Sequence, residues 1–273
     1  MTVNTIANSF GRAAKLLAIA SICAYFLLCA LLFFAQRRLV FPAPTQPRPL
    51  APGWQRVDVP GGTAMAYRPS AVRDAPVVVF FHGNGNQVAD VPWRADRLAR
   101  FGPAHFVAIE YPGYPWAAQQ TASEATLIAS AEAGLVEVVR RGWAEKSKLV
   151  LVGESLGTGV AVQLAQRGWG GQLVLVSPYT SLVEVAAHRY WFVPVGLLMR
   201  DRFDSAALAP SIALPVLVVH GQRDEVVPFA LGQRLSQLFA HSTLLAVPDA
   251  GHDSVWSVHA EQKIAEFVGQ APR

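Results

Sequence analysis

The stretch Lys148-Leu149-Val150-Leu151-Val152-Gly153-Glu154-Ser155-Leu156-Gly157 decides how this chain folds. An apolar run of strand length gives way at Gly153 to a Gly-x-Ser-x-Gly pentapeptide, and Leu156 to Arg167 then reads as a helix. A pentapeptide of this kind between strand and helix forces its serine into a sharp, strained turn, and the flanking glycines let neighbouring backbone approach closely. Ser155 is therefore the first candidate for a nucleophile, its hydroxyl held out toward solvent.

Outward from that turn, the same pattern repeats. Val77 to Phe81, Phe106 to Ile109, Leu173 to Val176, Val216 to Val219 and Thr243 to Val247 are short apolar runs without alternation, as expected of parallel strands covered on both faces. Pro92 to Phe101, Ser123 to Arg141, Phe229 to Phe239 and Ser254 to Val268 carry helical patterning between them, with Thr121 and Glu124 forming a capping box before the second. Gln55 to Val59 and Thr63 to Tyr67, joined by Pro60-Gly61-Gly62, read as an antiparallel hairpin at the sheet's edge. The sum is an α/β domain over residues 54–273, with a mostly parallel, doubly wound sheet. Ligands of such sheets sit beyond the carboxyl ends of the strands.

Composition narrows the functional classes. Of the 273 residues 52% are hydrophobic and 15% charged, which suits one substantial domain plus an appendage. The net charge of +4 comes from the first 53 residues, where Arg12, Lys15, Arg37, Arg38 and Arg48 face no acidic residue. The domain itself is nearly neutral, so the basic balance points to a membrane surface and away from nucleic acid. Leu16 to Ala35 holds no charge and matches the ~20 residues a helix needs to cross hydrocarbon. Residues 1–15 are thus a flank and 16–36 a transmembrane anchor; a cleaved signal is the rival, against which stand the length of the run and the bulky Phe33 and Phe34 at its exit. Bases at both ends leave the orientation open. Residues 37–53, with Pro42, Pro44, Pro47, Pro49 and Pro52, read as a stiff stalk. Cys23 and Cys29 both fall inside the apolar run, so the domain has no thiol for disulfide or zinc-thiolate chemistry. Only four lysines stand against abundant arginine and alanine, a bias that suggests a GC-rich bacterial source and hence the cytoplasmic membrane.

Four strand-end loops carry reactive or flexible residues: His82-Gly83-Asn84-Gly85, Ser155, His220-Gly221-Gln222-Arg223-Asp224, and Asp249-Ala250-Gly251-His252. A serine needs a base to become nucleophilic at neutral pH, and the base needs a carboxylate to hold its tautomer. Asp224 competes for the acid with Glu225, Asp249 and Asp253, and His252 for the base with six other histidines. His82 and His220, which open glycine loops, read instead as loop-ordering rings, and Glu154 as a carboxylate pointing away from the site. No His-Glu-x-x-His metal pattern and no dinucleotide fingerprint occurs, and no metal or other cofactor is expected.

With these motifs in the order Ser, Asp, His, the chain resembles the α/β-hydrolase superfamily over about residues 55 to 270. His82-Gly83-Asn84-Gly85, Tyr111-Pro112-Gly113-Tyr114, Ser177-Pro178-Tyr179-Thr180-Ser181-Leu182 and Asp201-Arg202-Phe203-Asp204 are similar to membrane-anchored serine hydrolases related to monoacylglycerol lipases and acyl-protein depalmitoylases. The resemblance implies a Ser155, His252, Asp224 triad, an oxyanion hole from the amides of Leu156 and Asn84, and covalent acyl transfer to water. His82, Gly83, Tyr111, Tyr179, Tyr190 and Trp191 are the expected pocket residues. Residues 178–214 form a longer connection whose run Tyr190 to Met199 is too short to span a bilayer, and read as a small lid, an interfacial segment or plain core packing. The expected substrates are esters or thioesters of lipid-like acyl chains. A small-peptide or amide hydrolase of the same fold and a silent membrane-tethered binding protein remain the alternatives, and the oligomeric state is open.

Overall fold

Val77, Val79 and Phe81 pack into an apolar cluster on one face of the sheet while Val78 and Phe80 pack into a second cluster on the other, which is why this run shows no alternation. Leu149 and Leu151 against Val150 and Val152 divide the same way on the neighbouring strand. Burial on both faces contributes about 1.5 to 3 kcal/mol for each such side chain, so these strands form the centre of the domain.

The computed structural model describes residues 3–271; residues 1 and 2 of the predicted flank and 272 and 273 at the domain's end lie outside the described residues. Eight strands are described, β1 (Gln55–Val59), β2 (Thr63–Arg68), β3 (Val77–Phe81), β4 (His105–Ile109), β5 (Leu149–Glu154), β6 (Gln172–Val176), β7 (Val216–Gly221) and β8 (Ser242–Val247). They form one sheet in the order β1-β2-β4-β3-β5-β6-β7-β8. β2 runs antiparallel to β1 and β4, and the remaining pairs are parallel. This is the α/β-hydrolase fold with its antiparallel edge hairpin. β8 is the other edge and half exposed, so its apolar run is less covered than expected.

The helices are α1 (Val3–Val40), α2 (Val91–Ala99), α3 (Glu124–Arg140), α4 (Leu156–Gln166), α5 (Leu182–Arg189), α6 (Val195–Leu198), α7 (Ser205–Leu208), α8 (Phe229–Leu238) and α9 (Val258–Gly269). α2 and α9 cover one face of the sheet; α3, α4 and α8 cover the other. Two helix starts differ from expectation. α3 is capped by Ser123, whose Oγ accepts from the Thr126 amide (3.2 Å), because the Glu124 amide is taken by Asp201 Oδ1 (2.8 Å) and its carboxylate by Gln163. α9 begins at a Ser257 cap, since Ser254 is drawn into the loop before it, its Oγ accepting from the Gly251 amide (2.8 Å).

α1 includes one stretch, Gly11–Val40, long and apolar enough to cross a membrane; it is exposed from Gly11 to Leu28 and partly covered from Cys29 on. The segment after it is irregular, as its prolines require. It does not stand off as a spacer. Phe41 is buried edge-to-face against Phe203, the Arg48 amide donates to Gln87 Oε1 (2.9 Å), and Gln87 Nε2 donates to the Gln46 carbonyl (3.3 Å). The insertion between β6 and β7 holds α5, α6 and α7.

Candidate active site

Ser155 lies between β5 and α4 with φ 49° and ψ −117°, a backbone conformation that L-residues rarely adopt. Packing enforces it. A Cβ on Gly153 would lie 2.5 Å from the Gly157 carbonyl oxygen, and one on Gly157 would strike the Phe81 carbonyl of β3, so only glycine lets β5, α4 and β3 approach so closely. The Ser155 amide donates to the Val176 carbonyl (2.9 Å), and its carbonyl accepts from Thr158 Oγ1 (2.6 Å). The turn is fixed from both sides, leaving the side chain as its free end.

That side chain meets His252 from the loop after β8. Ser155 Oγ and His252 Nε2 are 3.0 Å apart, and His252 Nδ1 is 2.8 Å from Asp224 Oδ2. With Nδ1–H donating to the carboxylate, Nε2 is the bare nitrogen that accepts from the serine hydroxyl. Asp224 is held by four donors: Oδ1 accepts from the amides of Val226 (2.9 Å) and Val227 (2.8 Å), and Oδ2 from His252 and from His220 Nε2 (3.3 Å). Burial opposes its ionisation, but the hydrogen bonds from His220 and His252 outweigh burial and hold the carboxyl well below the usual range. Burial likewise disfavours the charged form of His252, and its hydrogen bond to Asp224 and that residue's charge reverse the sign, raising the imidazole above its ordinary value. Of the competing carboxylates, Asp249 pairs at the surface with Arg223.

His220 orders the Asp224 loop as expected, its Nε2–H shared between the Val227 carbonyl (3.0 Å) and Asp224. His82 is buried, with Nδ1 3.0 Å from the Gly83 carbonyl and Nε2 3.0 Å from Glu110 Oε1. Both ring nitrogens thus face acceptors, and Glu110, at the end of β4, is a partner the sequence reading missed. Glu154 points away from Ser155 to Arg94 (2.6 Å from Nη2) and to Trp256 Nε1 (3.1 Å). Gly83 lies beside the serine, a Cβ there standing 3.5 Å from that of Ser155, and brings the Asn84 loop to the site. No hydrogen bond among the described residues takes up the backbone amide of Asn84 or of Leu156. Tyr114, also unforeseen, donates to Asn84 Oδ1 (3.2 Å) and braces that loop.

The expected pocket residues divide differently. Tyr111 and Tyr179 are fully buried, donating to the carbonyls of His82 (3.0 Å) and Leu156 (3.1 Å), and burial pushes both hydroxyls well above the usual phenol range. With their hydroxyls engaged and no surface exposed, Tyr111, Tyr179 and the His82 ring are supports beneath the loops and not walls of a pocket. Tyr190 lines an apolar groove against α1 with Leu32, Phe33 and Val193, and Trp191 is 82% exposed. An apolar run in a surface insertion could be read from sequence; its neighbour, the N-terminal helix, could not.

A model described as the alpha/beta hydrolase family matches residues 78–210, and one described as TAP-like protein matches residues 199–272. An uncharacterized protein of Mycobacterium tuberculosis is 37% identical over 132 residues, 48% of this chain and 47% of that protein. The lysophosphatidylserine lipase ABHD12 of Danio rerio is 30% identical over 198 residues, covering 66% of this chain and 51% of its own. The chain thus spans about half the length of these curated relatives. Among solved structures, a membrane phospholipase A superposes with a TM-score of 0.57 at 18% identity, covering 95% of this chain and 96% of that one, a likeness of fold.

Proposed function

We propose that this chain, which has the α/β-hydrolase fold and matches the alpha/beta hydrolase family over residues 78–210, is a membrane-anchored serine hydrolase that cleaves carboxylic esters or thioesters of lipid-like acyl chains. The observation that carries this reading is the hydrogen-bonded row from Ser155 Oγ through His252 to Asp224. In it, His252 Nε2 takes the proton of Ser155 as Oγ bonds to the acyl carbon. The carbonyl oxygen becomes an oxyanion facing the unengaged amides of Leu156 and Asn84, a pair of donors each worth about 3 kcal/mol in the transition state. The intermediate collapses by expelling the alcohol or thiol, which leaves with the proton from His252, and an acyl-serine remains. Water, giving a proton to the same nitrogen, attacks the acyl carbon and releases the acid with Ser155 restored. Asp224 keeps its charge throughout and holds the imidazolium as it forms.

Residues 16–36 serve as anchor in this reading. Two features support retention of α1 over its removal as a signal: it is docked on the domain through Gln36 and Arg37, and the ion pair of Arg37 reaches Asp201, which also caps α3. The lipase and phospholipase among the similar proteins support an acyl lipid as substrate.

Fluorophosphonate labelling of the detergent-solubilised chain and of Ser155→Ala is the test. The wild type should label and the variant should not; an unlabelled wild type would favour a silent binding protein. Matched glycerol esters, phospholipids, thioesters and amides then define the bond cleaved, and rates that rise with chain length are expected. Turnover confined to amides or to short soluble esters would count against a lipid-like substrate.

A further inference from the structure

Two uncharged apolar runs of this chain are closed at both ends by bases: 16–36 between Lys15 and Arg37, and 190–199 between Arg189 and Arg200. The structure lays the second along the first, in step. Tyr25 donates its hydroxyl to the Phe192 carbonyl (3.0 Å); Cys29 packs against Val193 and Val195; Gln36 donates to the Leu198 carbonyl (3.1 Å) and accepts from the Arg200 amide (2.8 Å). The Arg200 guanidinium then lies 4.1 Å over the Phe33 ring, so the closing bases of the two runs come to the same level.

From Gln36 to Tyr25 an α-helix rises about 16 Å, which is about half the thickness of a bilayer's hydrocarbon core. Burying the uncharged span of α1 in lipid therefore carries Tyr190–Met199 in with it. The large side chains there face outward: Trp191 is 82%, Leu197 87% and Phe192 46% exposed. Irregular backbone can enter hydrocarbon only where its polar groups are engaged. Here the Phe192 and Leu198 carbonyls are taken by Tyr25 and Gln36, and the amides of Val193, Leu197 and Met199 donate to the carbonyls of Tyr190, Pro194 and Val195, which leaves the amides of Trp191 and Phe192 unengaged at the tip among the described residues. Arg38 and Arg200, both exposed, lie next to Gln36 at the base of this unit, at the level where anionic headgroups would lie.

We propose that Tyr190–Met199 is a second membrane-inserted element, docked along α1 to the depth of Tyr25, with the hydrocarbon of one leaflet as the partner of its exposed face. The proposal rests on α1 being a membrane anchor. It makes the insertion and the anchor one unit and sets the domain close against the leaflet it enters.

An environment-sensitive fluorophore on single cysteines tests it, in a background with Cys23→Ala and Cys29→Ala and the full chain in phosphatidylcholine and phosphatidylglycerol vesicles. Trp191→Cys and Leu197→Cys carry the probe in turn, Leu27→Cys provides a ruler on α1, and Gln262→Cys on α9 an aqueous reference. Blue-shifted emission is expected at 191 and 197, with nitroxides near the bilayer centre quenching 191 more than 197 and headgroup nitroxides the reverse. Water-like emission at 191 and 197 beside a hydrocarbon signal at 27 overturns the proposal. A water-like signal at 27 overturns the anchor as well. Fluorophosphonate labelling of the same vesicles reports the hydrolase reading separately.

Discussion

The carboxyl end of the sheet and the outer face of the insertion treat their side chains in opposite ways. At the sheet's end, polar groups are buried and partnered: Asp224 has four donors, His82 meets Glu110, and Glu154 meets Arg94 and Trp256. On the insertion, apolar groups are exposed and unpartnered, Trp191 and Leu197 foremost. A buried polar group without a partner costs about 1 to 3 kcal/mol, and the first region draws nearly all of its partners from the chain itself, with His220 Nδ1 and Glu110 Oε2 left without one. The second is incomplete in water. One region carries its own surroundings, and the other takes them from outside.

If the first region is self-contained, breaking one of its bonds should be felt in chemistry far more than in folding. Asp224→Asn keeps the shape but removes the charge that stabilises the His252 imidazolium, and loss of this kind lowers kcat by about 10⁴-fold. Steady-state kinetics on an ester cleaved by the wild type check this; a loss below tenfold would remove Asp224 from the proposed row. The pH profile sharpens the point. The base must be neutral to accept the serine proton, so kcat/KM falls as pH drops through the His252 pKa, which the aspartate holds above the ordinary imidazole value. The acid limb of the wild type should thus lie above pH 6.5, the ordinary value, and move down in Asp224→Asn.

The self-contained region was also the more legible one. Ser155 could be read because a strand, two glycines and a helix within a dozen residues define its turn, and β3, β4, β5 and β7 because cover on both faces removes alternation. What depends on a partner distant in sequence could not be read. Glu110 meets His82 across adjacent strands, and Asp201 takes the Glu124 amide, from which the Thr121 hydroxyl would have accepted in the expected capping box. Tyr111 and Tyr179 stand next to motif residues, and only the packing beneath the loops turns their rings inward. The pairing of Tyr25 with Phe192 joins residues with most of the domain between them.

A smaller effect probes the support of Asp224 without touching the reacting atoms. Gly232 on α8 lies against the His220 ring, and a Cβ there would collide with Nδ1. Gly232→Ala must displace that ring, weakening its hydrogen bonds to Asp224 and Val227. Overpacking of this kind costs about 1 to 3 kcal/mol. Denaturant melts should show that loss, with kcat reduced by less than in Asp224→Asn; unchanged stability and rate would mean His220 is not needed to hold the loop.

The smallest expected effect bears on the other side of the contrast. Leu197 is 87% exposed. Surface substitutions away from buried contacts change stability by no more than about 0.5 kcal/mol, so Leu197→Asn should leave the melting of the detergent-solubilised chain almost unchanged. Val193, buried against Cys29, is the internal control, since Val193→Asn places an amide in that contact and should destabilise. If Leu197→Asn instead melts the domain in detergent, the side chain has a structural partner within the chain, and the contrast between the two regions fails there. If only Val193→Asn destabilises, the exposed leucine contributes nothing to the fold, and its apolar character answers to surroundings that the chain itself does not supply.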